Sequence, residues 1–221
     1  MQATVTLDIE ELLADVTPEN PKVLYGVSWE DYTDLVKATF DETNLKMSYN
    51  RGVLKIMGQG FNHENISRFL DRLVALVGLF LGQDIIPAGS MTLHSNRIRK
   101  GADPDESYYI QNAHLASFKD ELYDDGTDTP PDLVVEIDKS HGSDDKFEIY
   151  AAFGIKEFWL YSNGALQIFA LAETGEYLRS ETSPALPVLT AAALTEYINR
   201  GQKEKQIKVL KDFEKWLQEN K

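Results

Sequence analysis

Three observations predict an α/β protein. The run Leu133-Val134-Val135-Glu136-Ile137 is apolar and β-branched, with Pro130-Pro131 before it and Ser140-His141-Gly142-Ser143 after, as expected of a buried strand. Upstream, Ile66, Phe69, Leu70, Leu73, Val77 and Phe80 recur at helical spacing. Helix-like and strand-like segments then follow in the order helix, strand, strand, strand, helix, strand, which by itself leaves α/β and α+β both open.

Each element has a local cause. Residues 1–20 read as a loosely tied arm with a short apolar turn from Leu7 to Val16, ending at Pro18 and Pro21. Ser28 is placed to cap a helix running to about Lys37, with Glu30 and Asp31 in its first turn. Leu45–Tyr49 and Val53–Met57 flank Asn50-Arg51-Gly52, a hairpin signal. The longest helix spans about 63–82 and closes at Gly82. Strands are expected near 84–94, 105–111 and 131–138, then a helix from Asp144 to Phe153 stopped by Gly154. Lys156–Tyr161 is the next strand, and Ala165–Ala170 with Tyr177–Arg179 a small hairpin. Helices at 190–199 and 203–220 follow, the last carrying Ile207, Leu210, Phe213 and Leu217 on one face. The expected division is an arm at 1–24, a folded domain at 25–200, and a C-terminal amphipathic helix at 201–221, packed on the domain or at a dimer contact.

Composition narrows the chemistry. The 221 residues contain no cysteine, which excludes disulfides, zinc–thiolate sites and cysteine nucleophiles. Met1–Asp8 lacks the basic and apolar regions of a signal peptide, and Leu73–Leu81 falls far short of the ~20 apolar residues of a membrane span. A soluble, cytoplasmic protein with no membrane partner is the expectation. With 36 acids against 22 bases the net charge is −14, the opposite of a nucleic-acid binder's usual footprint. Bases do gather at Arg97-Ile98-Arg99-Lys100 and along the C-terminal helix. No nucleotide-binding glycine loop or nucleophile elbow is present.

The chemistry concentrates around residues 131–150. Strand side chains alternate faces, so Asp132, Glu136 and Asp138 share one side. An unpaired buried charge costs several kcal/mol or more, and a hard cation with oxygen ligands relieves that cost. Lys146, ten residues beyond Glu136, and Tyr150, one turn further, share a helix face.

These segments resemble the Uma2 family of the PD-(D/E)XK nuclease superfamily. The resemblance rests on Pro131–Ile137, Asp145–Tyr150, Gly154–Leu160 and the earlier Pro104-Asp105-Glu106-Ser107-Tyr108-Tyr109-Ile110, and covers about residues 25–200. It implies a restriction-endonuclease-like core (helix, three strands, helix, strand), here with an added N-terminal hairpin and C-terminal helices. It further implies Mg²⁺- or Mn²⁺-dependent hydrolysis of DNA, with Asp105 and Glu136 as metal ligands and Asp132 as a third ligand or a supporting group. The superfamily lysine two residues after the strand glutamate is replaced by Asp138, and Lys146 stands where Uma2 proteins place theirs. Lys139 is its rival. Glu64 matches an acidic position that many superfamily members add to the metal site, although pairing with Arg68 at i+4 is the plainer reading. His63 has two readings, phosphate binding or helix capping; His94 and His114 show no ligand spacing, and His141 lies in the loop beside Glu136. A homodimer is possible, since superfamily members often pair to cut two strands. The alternatives are a catalytically silent binding or assembly module, favoured by Asp138 and the charge, and a phosphoesterase for small substrates.

Overall fold

The computed structural model describes residues 12–40, 45–116, 123, 125–138 and 144–220. Lys139 and His141, and the arm before Leu12, lie outside the described residues.

The first sheet is built around the expected hairpin. β2 (Leu45–Asn50) and β3 (Val53–Gly58) pair antiparallel through the two-residue turn Arg51-Gly52, with φ of 49° and 81°. Positive φ at both positions gives the turn whose twist matches the strands, and glycine takes it without strain. β1 (Lys22–Tyr25) adds to the outer edge of β3. In the described part of the expected arm, Leu12 is buried and its carbonyl accepts from the Lys22 ammonium. α1 (Trp29–Ala38) begins where Ser28 Oγ accepts from Asp31 N at 3.0 Å, and lays Trp29, Tyr32, Leu35 and Val36 on Met47, Tyr49, Leu54 and Ile56.

The strand expected over 84–94 is split, because the chain turns at Ala88-Gly89-Ser90. β4 (Ile86–Pro87) stays with the second sheet. β5 (Leu93–Ser95) leaves for the first sheet, where it pairs with an unexpected strand, β6 (Lys100–Ala102), giving the order β1-β3-β2-β6-β5.

β7 (Glu106–Tyr109), β8 (Leu133–Asp138), β9 (Glu157–Ser162), β10 (Ala165–Leu171) and β11 (Tyr177–Ser180) complete the second sheet, ordered β11-β10-β9-β8-β7-β4. β8 and β9 run parallel, joined by α3 (Asp144–Phe153); the other pairs are antiparallel. Alternation along β8 decides what covers each face. Leu133, Val135 and Ile137 pack toward α2 (Phe61–Leu81), while Val134 packs toward Ile149, Tyr150 and Phe153 of α3. α2, β4, β7, β8, α3 and β9 therefore form the expected core of helix, three strands, helix and strand, with β5–β6 inserted before β7. The fold is α/β and restriction-endonuclease-like.

α4 (Ala191–Gly201) and α5 (Gln206–Glu219) follow. Val209, Phe213 and Leu217 of α5 are fully buried in the same cluster as Phe69, Leu73 and Val77 of α2. No described helix is long and apolar enough to cross a membrane.

Candidate active site

The register of β7 on β8 sets the site. Glu106 pairs with Val135 and Ser107 with Val134, so Asp105 sits level with Glu136 just before β7 begins. Asp105 N donates to Val135 O at 3.0 Å, and Asp105 Oδ2 accepts from Ile137 N at 2.7 Å. Both carboxylates are buried, at 5% and 8% exposure.

Each carboxylate has a basic neighbour. Lys146 Nζ lies 2.8 Å from Glu136 Oε1, 3.3 Å from Asp103 O and 3.4 Å from the Tyr150 hydroxyl, and Tyr150 donates to the same Glu136 oxygen. The helical spacing of Lys146 and Tyr150 brings them together as expected. His63, on the first turn of α2, puts Nε2 3.0 Å from Asp105 Oδ2, while its Nδ1 is buried with no partner among the described residues. Lys46, from β2, donates to Pro104 O at 2.6 Å and is itself buried.

The protonation states follow from these contacts. Burial pushes the Glu136 carboxyl up, Lys146 pulls it down and Asp105 pushes it up again, and the result is above the ordinary value. Burial also works against the Asp105 charge, but the His63 hydrogen bond and the His63 and Lys46 charges hold Asp105 below it. Burial disfavours the Lys146 ammonium, yet Glu136 and Asp105 raise its pKa. His63 is likewise raised, burial being outweighed by Asp105. Tyr150 stays a phenol because burial and Glu136 both oppose its ionisation.

Two expected members are elsewhere. Asp132 lies four residues back along the strand from Glu136, a separation of about 13 Å at ~3.3 Å per residue, although it shares the face. Its carboxylate is occupied there: Oδ2 accepts from Ile110 N at 2.7 Å and Asn112 N at 2.9 Å, and Oδ1 from Asn112 Nδ2 at 2.7 Å. Glu64 pairs instead with Arg68, Oε1 to Nε at 2.7 Å. Two other buried acids are also engaged, Glu106 by Ser67 and Arg68, and Glu157 by Ala185 N and Trp159.

No group of three or more His, Asp or Glu side chains is arranged to hold a metal among the described residues. The pair Asp105–Glu136 still fits a hard cation of Mg²⁺ type, which takes one or two carboxylates and fills its other positions with water and phosphate oxygen. Neither Asp105 Oδ1 nor Glu136 Oε2 accepts a hydrogen bond from a described residue.

Reading the sequence missed Lys46 and Asp103 and left His63 unassigned. On β2, Met47 and Tyr49 face the α1 core, which makes Lys46, Ser48 and Asn50 look like a solvent face. All three are buried instead, with Lys46 at Pro104 and Asn50 Nδ2 3.0 Å from Glu148 Oε2 of α3. Asp103, just before Pro104, accepts from Met47 N at 2.8 Å, and burial raises its pKa.

Comparison with known families matches residues 29–198 to Uma2, described as "Putative restriction endonuclease". Among solved structures, the chain is similar to a putative nuclease belonging to DUF820 from Anabaena variabilis ATCC 29413. The TM-score is 0.50 at 17% identity, covering 78% of this chain and 99% of that one, which is a likeness of fold. No curated protein matches.

Proposed function

Since the chain belongs to the Uma2 family of putative restriction endonucleases, we propose that it is a metal-dependent endodeoxyribonuclease that hydrolyses phosphodiester bonds in DNA. The observation that carries this reading is the level pairing of Asp105 and Glu136 with the Lys146 ammonium 2.8 Å from Glu136.

Asp105 and Glu136 would hold the Mg²⁺ or Mn²⁺ ion, whose contribution when bound is to polarise a phosphoryl oxygen and acidify a water. Lys146 keeps its proton, because its pKa is raised, so it is not the general base. Its role is to orient the attacking water through an N–H and to offset negative charge on the phosphoryl group. Tyr150 fixes the Glu136 carboxylate by donating to Oε1, and His63 holds Asp105 through Oδ2. Asp132 is left out of the metal site, since its oxygens serve the backbone at 110–112.

Supercoiled plasmid incubated with Mn²⁺ should be nicked or cut, and Glu136→Ala should abolish the cleavage. Cleavage that survives this substitution would refute the assignment. The second reading, a silent binding module, draws on Asp138 in place of the superfamily lysine and on the charge of −14. Mn²⁺ binding with no cleavage of plasmid or of a nitrophenyl phosphodiester would favour that reading. Cleavage of the small diester alone would point to a phosphoesterase.

A further inference from the structure

Lys46 is the most buried lysine among the described residues, at 5% exposure. β2 brings it to the residue before Asp105, where its Nζ donates to Pro104 O at 2.6 Å. Lys146 reaches the preceding carbonyl, Asp103 O, from α3. Two ammoniums from different elements thus hold the stretch that delivers Asp105 to the site.

Their charges are matched differently. Lys146 pairs with Glu136 at 2.8 Å, and nearby Lys55 pairs with Asp145 and Lys100 with Glu148. Lys46 forms no ion pair with a described residue, and Pro104 O is the one acceptor that its three N–H groups find there. Its charge is felt at three carboxyls, Asp103, Asp105 and Glu106. Each is already engaged. Asp103 Oδ2 accepts from Met47 N, Glu106 is held by Ser67 and Arg68, and Asp105 Oδ2 accepts from Ile137 N and meets His63. Taking an ammonium out of water without a close counter-charge costs more than one hydrogen bond to a carbonyl returns. The missing partner is an anion that the site receives from outside.

We infer that Lys46 is a second substrate-binding cation of the site, and that its ligand is a non-bridging oxygen of the DNA phosphate to be cleaved. This rests on the nuclease reading given above. A phosphate oxygen supplies both the negative charge and the acceptor lone pairs that the remaining N–H groups lack. The two lysines then divide the work. Lys146, neutralised by Glu136, orients water, while Lys46 keeps a net positive charge for the substrate. In a chain of net charge −14, attraction for a phosphate has to be local, within the ~8–10 Å over which salt leaves charges unscreened.

The test is the salt dependence of DNA binding, measured by fluorescence anisotropy of a labelled duplex with Ca²⁺ in place of Mn²⁺. Each phosphate that a cation neutralises contributes about 0.9 to the slope of log affinity against log salt. Lys46→Met should bind more weakly than wild type at low salt, and its disadvantage should shrink about eightfold for a tenfold rise in salt. Lys46→Arg should keep the wild-type slope. A residue that only supported the fold would change the affinity and leave the slope alone. Melts followed by circular dichroism check folding, and Lys46→Gln, which keeps a donor for Pro104 O, takes the place of Lys46→Met if that variant fails to fold. An unchanged slope in the folded neutral variant overturns the inference, as does a lowered slope in Lys46→Arg. Plasmid cleavage separates the two readings. A wild type that cuts, with the slope unchanged in the variant, refutes only the role of Lys46; a wild type that neither cuts nor binds DNA refutes both.

Discussion

Glu136 Oε1 and Lys146 Nζ lie 2.8 Å apart with side-chain exposures of 10% and 14%, so each is the other's chief solvent substitute. Breaking such a pair from one side leaves a buried charge unmatched, at a cost of about 3–5 kcal/mol. Lys146→Met should therefore lower the urea midpoint substantially. The double variant Lys146→Met/Glu136→Gln should be destabilised by clearly less than the sum of the two single changes. Strict additivity would mean that the two groups are not coupled.

On the proposed metal site, the raised pKa of Glu136 predicts the pH dependence of Mn²⁺ binding. A ligand must be deprotonated to coordinate, and burial keeps the Glu136 proton on to higher pH than the ordinary 4.5. Asp105, held below 3.8, stays ionised throughout that range. Mn²⁺ affinity measured by calorimetry should begin to fall, as pH is lowered, while still above 4.5. In Lys146→Met the loss should begin at a higher pH still, since the ammonium that opposes the burial effect is gone.

His63 gives a stability signature of opposite sense to that of Asp105. Its folded pKa lies above the ordinary 6.5, so the protonated form is favoured by folding. That contribution is complete below 6.5 and disappears as pH rises through the raised value. Asp105, with a lowered pKa, contributes above 3.8 and loses its part as pH falls through the depressed value. The advantage in melting temperature of wild type over His63→Gln should thus shrink on going from mildly acidic to alkaline buffer. A constant gap would mean that His63 is neutral at Asp105 at every pH tested.

Asp132 separates structure from chemistry within one sequence motif. Asp132→Ala strips acceptors from Ile110 N, Asn112 N and Asn112 Nδ2, and should cost several kcal/mol, at about 1.5–3 kcal/mol for a hydrogen bond to a carboxylate. Mn²⁺ affinity in the folded variant should stay at the wild-type value. A large loss of affinity without loss of fold would put Asp132 back among the ligands.

Much of the core was legible because its signals are local. Ser28 as a cap, Arg51-Gly52 as a turn, Gly82 as a stop with φ of 63°, and the alternation of β8 each follow from the chemistry of a few neighbouring residues. Glu136, Lys146 and Tyr150 were legible for the same reason, since the spacing of 146 and 150 holds in any helix. What was not legible depends on long-range packing. Lys46 lies on a polar strand face that reads as solvent until Pro104 and α3 cover it, and β6 begins only at Lys100, where the basic run ends. Asp132 fits the face rule but not the distance, because two pleats of strand separate it from Glu136. Face alone says nothing about reach.

The packing of Tyr32 on Gly101 yields the last prediction. A Cβ on Gly101 would overlap the Tyr32 phenol, and the β6 backbone has no room to yield because it is paired on both sides, with β2 and β5. Tyr32 is fully buried, stacked on Tyr49 with ring centroids 4.8 Å apart, and cannot swing out. Gly101→Ala should therefore cost about 1–3 kcal/mol by overpacking, though Gly101 needs no unusual φ. The Tyr32 hydroxyl has no hydrogen-bond partner among the described residues, so Tyr32→Phe removes a buried polar atom that gains nothing from its surroundings. Alone, Tyr32→Phe should leave the urea midpoint unchanged or raise it. Combined with Gly101→Ala it should recover part of the loss, because the hydroxyl is the nearest obstacle, but not all, because ring carbons stand close behind at 2.8 Å. Full independence of the two substitutions would mean that the chain relaxes at Gly101 by moving β6 rather than by pressing on the ring.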